Sequence, residues 1–90
     1  MKNVDVLESF VNGESGAKTK TLFIDGNRLY NYRTCIAERT PRTDGSHSFK
    51  VNTTKYSNST TRIQNQLMDL VPITGLSTVN DIPEGADSLS

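Results

Sequence analysis

Cys35 and His47 are the only cysteine and the only histidine in this 90-residue chain. They are therefore the first candidates for nucleophilic or general-base chemistry. A nucleophile needs a base beside it and a third group to hold that base. His47 lies in the segment Asp44-Gly45-Ser46-His47-Ser48, where nothing in the sequence positions a partner. Cys35 is followed by Ile36 and Ala37 and reads as a small buried strand residue. One histidine and one cysteine leave only scattered carboxylates for a metal. Asp5, Glu8 and Asp25 show no spacing for paired acid–base work. Gly13-Glu14-Ser15-Gly16-Ala17-Lys18-Thr19 echoes a phosphate loop but lacks its spacing, and no strand precedes it. The inventory favours a binding protein over an enzyme and calls for no cofactor.

The residues that favour binding lie between Asn52 and Arg62. A run of hydroxyl and amide side chains there leads into a helix start, with Lys55 and Arg62 beside it. Free backbone N–H groups and a helix dipole suit a phosphate at such a place. Tyr56 could stack on a base. The competing assignment is helix capping, which needs only one or two such residues. Tyr30 and Tyr32, with Arg28 and Arg33, repeat the aromatic and basic mixture, although core packing also explains the tyrosines.

Charge supports the same segment. The formal net charge is zero. Residues 18–62 nevertheless hold nine of the ten basic residues against Asp25, Glu38 and Asp44, a net of +6. Residues 1–17 carry −2 and residues 63–90 carry −4. Such asymmetry points toward a polyanionic partner. Arg33, Arg39, Arg42, Lys50, Thr53, Thr54, Lys55, Tyr56, Thr61 and Arg62 are the candidate nucleic-acid contacts.

The elements that must position them follow from hydrophobic spacing. Val4, Leu7, Phe10 and Val11 mark a short helix, started by Asn3 and ended by Asn12-Gly13. Residues 13–20 read as a linker. Thr21 to Ile24 is a strand, Asp25-Gly26-Asn27 a hairpin turn, and Arg28 to Ala37 the return strand. Arg39 to Ser48 reads as an exposed basic loop, and Ser48 to Thr53 as a third strand. A helix capped by Ser57, Asn58 or Ser59 carries Ile63, Leu67, Leu70 and Val71 on one face and stops at Pro72. The expected fold is α+β: a short N-terminal helix, a three-stranded antiparallel sheet, one C-terminal helix packed on it and a disordered tail. Residues 1–72 would form the domain, and 73–90 an acidic flexible tail. An unstapled core with one thiol fits a reducing cytoplasm, and no stretch is long and apolar enough for a membrane span.

Two segments resemble a family of small, poorly characterised proteins encoded largely by bacteriophages and prophages. They are Leu29-Tyr30-Asn31-Tyr32-Arg33-Thr34-Cys35-Ile36-Ala37 and Asn52-Thr53-Thr54-Lys55-Tyr56-Ser57, the latter followed by Thr60-Thr61 and Gln64-Asn65. The likeness spans about residues 18–70. The family carries a histidine before the glutamine, where this chain has Ile63. The resemblance implies a phage origin, a compact sheet-plus-helix unit and no known reaction. It also implies a host macromolecule as partner. Nucleic acid is the preferred partner. The alternative is a host protein inhibited or modulated through the hairpin edge and the Arg39–Ser48 loop, by a monomer or a homodimer.

Overall fold

The computed structural model describes residues 2–89. Helix α1 (Asn3–Val11) precedes a meander of four strands: β1 (Leu22–Asp25), β2 (Arg28–Asn31), β3 (Thr34–Pro41) and β4 (His47–Asn52). Helix α2 (Asn58–Leu70) and a 3₁₀ turn (Ile73–Gly75) then lead to β5 (Leu76–Val79). The sheet order is β1-β2-β3-β4-β5. The first four strands pair antiparallel, and β5 pairs parallel to β4. The α+β class holds, but the three-stranded antiparallel sheet becomes a five-stranded mixed one.

The difference has two sources. First, the expected return strand of residues 28–37 is split by a second two-residue turn at Tyr32-Arg33, between the paired residues Asn31 and Thr34. Tyr32 takes φ 56°, a left-handed conformation that carries no glycine or asparagine signal in the sequence. Ile36 is an extra residue in β3, because Leu29 faces Ala37 while Tyr30 faces Cys35. One inserted residue reverses the inside–outside alternation along that strand. Second, α2 carries the chain back to the start of β4. A following strand must then run parallel to β4, as in any β–α–β crossover. The Asp25-Gly26-Asn27 hairpin does form; Asp25 pairs with Arg28, and the positive φ of 61° falls on Gly26.

Both helices pack on one face of the sheet. Val6, Leu7 and Phe10 of α1 meet Ile63 and Leu67 of α2, with Val71 just beyond its end. Beneath them lie Leu22, Ile24, Leu29, Ile36, Ala37, Phe49 and Val51. Phe10 and Phe49 touch in a tilted arrangement, with ring centroids 5.9 Å apart. Fully burying each such side chain contributes roughly 1.5–3 kcal/mol. Lys2, not Asn3, is the residue before the first helical turn, and its N–H donates to the Asp5 carboxylate at 3.0 Å. Asn3 Oδ1 instead accepts from Thr19 Oγ1 at 2.7 Å, which ties the 13–20 segment to α1. Gly13 ends α1 at φ 83°. His47 packs there so closely that a Cβ on Gly13 would lie 2.8 Å from the imidazole.

The segment expected as a disordered tail covers the other face. β5 fills the sheet edge, and the residues after it form a strap. Ile82 N–H donates to Thr54 Oγ1, Gly85 N–H to Thr34 Oγ1, and Cys35 N–H to the Ala86 carbonyl, at 3.0, 2.8 and 2.9 Å. Tyr30 Oη donates to the Asp87 carbonyl, and Leu89 is buried. Isolated Ile and Leu residues between acids gave no periodic signal, yet the strap is held by its own backbone groups, bonded mostly to hydroxyls of the sheet and loop, and by one apolar anchor.

Cys35 lies under this strap, fully buried. Burial, reinforced by the nearby Glu38 charge, pushes its thiol from the ordinary 9.0 up to about 11. The native state therefore keeps this proton where the unfolded chain loses it. Its contribution is intact below about pH 9 and is lost as pH rises to about 11. Subtracting the Cys35→Ala stability profile from that of the wild type should isolate a fall in that window. Maleimide labelling at pH 8 should be slow in the intact chain and fast after truncation behind Val79, which removes the strap.

Candidate functional site

The sheet has two ends. The β1–β2 turn, the β3–β4 loop (residues 42–46) and the C-terminus of α2 share one of them. A Cβ on Gly75, just past α2, would lie 3.1 Å from the His47 carbonyl oxygen. The Tyr32-Arg33 turn, the 53–57 loop and the starts of both helices share the other. The first residues of both helices, Asn3 and Asn58, line one cleft there. The helices thus run parallel and present both positive dipole ends on the same side.

Three clefts open on that end. One of about 680 Å³ is lined by Tyr32, Arg33, Tyr56, Ser57, Thr60 and Glu84, among others. A second, of about 560 Å³, is lined by Lys2, Asn3, Tyr32, Asn58, Ser59 and Arg62, among others. A third, of about 670 Å³, is formed by Lys2, Asn3, Lys18, Thr19, Lys20 and Thr21. The first two share Asn31 and Tyr32; the second and third share Lys2, Asn3 and Thr21. The result is a continuous recessed band. Lys2, Lys18, Lys20, Arg33 and Arg62 gather along it, and Lys55 is exposed on the adjoining loop. No acid lines the second and third clefts.

The ten candidate residues named from the sequence separate clearly. Arg33 and Arg62 lie in the band. Thr61 is half-buried in the first turn of α2, with its N–H on the Ser57 carbonyl at 2.9 Å. Arg42 is exposed at the far end of the sheet. Lys50 is half-buried in β4, opposite Glu38 and Ser77.

Arg39 is internal. It is 4% exposed and donates to the carbonyls of Phe10 and Gly26 at 2.7 and 3.0 Å, and to Asn27 Oδ1 at 3.2 Å. Its guanidinium also lies 4.9 Å from the Phe10 ring centroid. Burial lowers its pKa. Arg39 thus places a cation at the C-terminal end of α1, which has no basic residue in its own last turn. The loop expected from Arg39 to Ser48 is correspondingly shorter, because β3 runs on to Pro41.

The polar run also turns inward. Thr53 N–H and Oγ1 both donate to the Val79 carbonyl, at 2.8 and 2.9 Å. The Thr54 carbonyl accepts from Gln64 Nε2 at 3.0 Å. Tyr56 Oη donates to the Ile82 carbonyl at 2.6 Å and accepts from Asn52 Nδ2 at 2.9 Å. Ser57 caps α2 by accepting from Thr60 N–H at 3.2 Å. Thr53, Thr54, Tyr56 and Ser57 are therefore used to join β4, β5, α2 and the strap.

Sequence reasoning missed Lys2, left Lys18 and Lys20 out of the contact set, and weighted Tyr32 toward the core. Tyr32 is 62% exposed. No local signal marks these residues, because the parallel helices and the 32–33 turn bring them together. The hairpin edge, an alternative docking element, is partly covered. Ile24 N–H donates to the Ala17 carbonyl, and Thr19 N–H to that of Leu22. Cys35 and His47 sit toward opposite ends of the sheet. The six-residue separation of Cys35 from Pro41, the partner of His47, spans about 20 Å of strand.

No family model, curated protein or solved structure matches this chain. No helix among the described residues is long and apolar enough to cross a membrane.

Arg39→Ala should cost about 2–4 kcal/mol, since it strands buried carbonyls and leaves a void. At ~4–8 °C per kcal/mol, Tm should fall by at least about 8 °C in calorimetry. Tyr56→Phe removes two hydrogen bonds and should cost about 1–2 kcal/mol, read from the urea midpoint.

Proposed function

We propose that this chain is a non-enzymatic protein that binds nucleic acid through the recessed basic band at the helix-start end of the sheet. The observation that carries the reading is the gathering of Lys2, Lys18, Lys20, Arg33 and Arg62 around connected clefts, next to an exposed tyrosine. These residues come from four separate chain segments. A surface needed only for solubility has no reason to collect them on one recess while the acids line it at Glu84 alone. Cations along a groove contact phosphates, and an aromatic ring beside them contacts bases. The two helix starts add fixed positive potential to the same end. The proposed surface differs from the segment first favoured: Arg33 and Arg62 remain, Lys2, Lys18, Lys20 and Tyr32 join them, and Arg39, Thr53 and Thr54 serve the fold.

Binding through about five phosphate contacts should weaken with added salt, with a log–log slope on the order of −3 to −5. Amide shifts on titration with an oligonucleotide at low salt should concentrate at residues 2–3, 18–21, 31–34 and 55–62. Lys18→Glu combined with Arg62→Glu should abolish binding while leaving the fold intact. Absence of any shift at low salt, or shifts confined to residues 42–50, would sink the proposal.

A further inference from the structure

We infer that the band accepts single-stranded rather than duplex nucleic acid, with one unstacked base entering the cleft lined by Tyr32 and Tyr56. The inference rests on the nucleic-acid reading above and specifies its substrate class.

Charge divides the band. The second and third clefts hold Lys2, Lys18, Lys20 and Arg62 and no acid. The first holds Arg33 but also Glu84. A phosphate is repelled by that carboxylate, whereas the N–H edge of a neutral base can donate to it. Backbone therefore belongs in the basic clefts and a base in the mixed one. Tyr32 lines both the mixed cleft and its basic neighbour, so a strand occupying the two must pass over its ring.

The Tyr56 ring and the Tyr32 backbone are both held in place. Tyr56 is fixed through its hydroxyl by Asn52 and Ile82. The Tyr32 backbone sits in a turn held by three hydrogen bonds. Its N–H donates to the Thr21 carbonyl at 2.6 Å, Asn31 Nδ2 donates to the same carbonyl, and Asn31 Oδ1 accepts from Thr60 at 2.7 Å. A pre-positioned ring pays little ordering entropy when a base stacks on it. A duplex keeps its bases stacked and paired, and would leave this cleft of about 680 Å³ unfilled.

The test is fluorescence anisotropy at low salt with three labelled 12-mers: a single strand, its duplex, and an abasic sugar-phosphate chain of the same length. The single strand should bind roughly tenfold or more tighter than the other two. Tyr32→Gly should erase that preference. The same change relieves the positive φ at residue 32, so its Tm should stay level or rise, and a loss of binding cannot be blamed on unfolding. Tyr32→Phe should retain the preference. Equal binding of all three ligands, unchanged in Tyr32→Gly, overturns the base-cleft inference and leaves the electrostatic reading standing. Failure of all three to bind overturns both.

Discussion

The fold depends on how Asn52 is satisfied. This side chain is fully buried at the end of β4. Its amide donates to the Cys35 carbonyl and to Tyr56 Oη, its oxygen accepts from Thr54 N–H, and its own carbonyl accepts from Gln64 Nε2. One amide therefore joins β3, β4, the loop into α2 and α2 itself. Through Tyr56 it also reaches the strap at Ile82. A buried polar group is costly when unpaired and specific when paired. Among the described residues no buried side-chain nitrogen or oxygen lacks a partner. The network consequently fixes the angle at which α2 leaves the sheet without a stability penalty.

A chain of ninety residues has a thin core, and Cys35, its one cysteine, is free. Polar cross-links take the place that disulfides hold in other small domains. The Asn52 network closes one end of the sheet. Arg39 closes the other by fastening the end of α1 to the β1–β2 turn and β3. The strap does similar work on the face the helices leave open. Its cost is the ordering of about ten residues, offset by backbone bonds to Cys35, Thr34 and Thr54 and by the burial of Leu89.

These restraints shape the recessed band. Asn31, Thr21 and Thr60 hold the turn that exposes Tyr32, and the Asn52 network holds Tyr56 on the other side of the cleft. The cations around them come from separate segments, and none of them forms an ion pair with an acid among the described residues. The polar joints add to the hydrophobic core, and the exposed cations lie between them. Tyr32 concentrates this arrangement in one residue, since it accepts a strained backbone angle and leaves an aromatic ring in solvent.

The sequence by itself determined the α+β class, the two helices and the stops at Gly13 and Pro72. It also determined the Asp25-Gly26-Asn27 hairpin and the poverty of catalytic groups. Each depends on neighbours along the chain: apolar spacing, a cap, a turn pair or a missing residue type. Only the tertiary structure decided that Arg39 is a fastener and Arg62 a surface cation, because both read locally as arginines in polar stretches. It alone tied Thr53, Thr54 and Tyr56 to the fold, since their partners Val79, Ile82 and Gln64 lie 10–28 residues away. The fifth strand followed from the crossover, and the strap from bonds between its backbone and side chains distant in sequence, such as Thr34, Thr54 and Tyr30. The single cysteine and single histidine were thus legible from composition, whereas which charges stay at the surface depended on which ones the fold consumed.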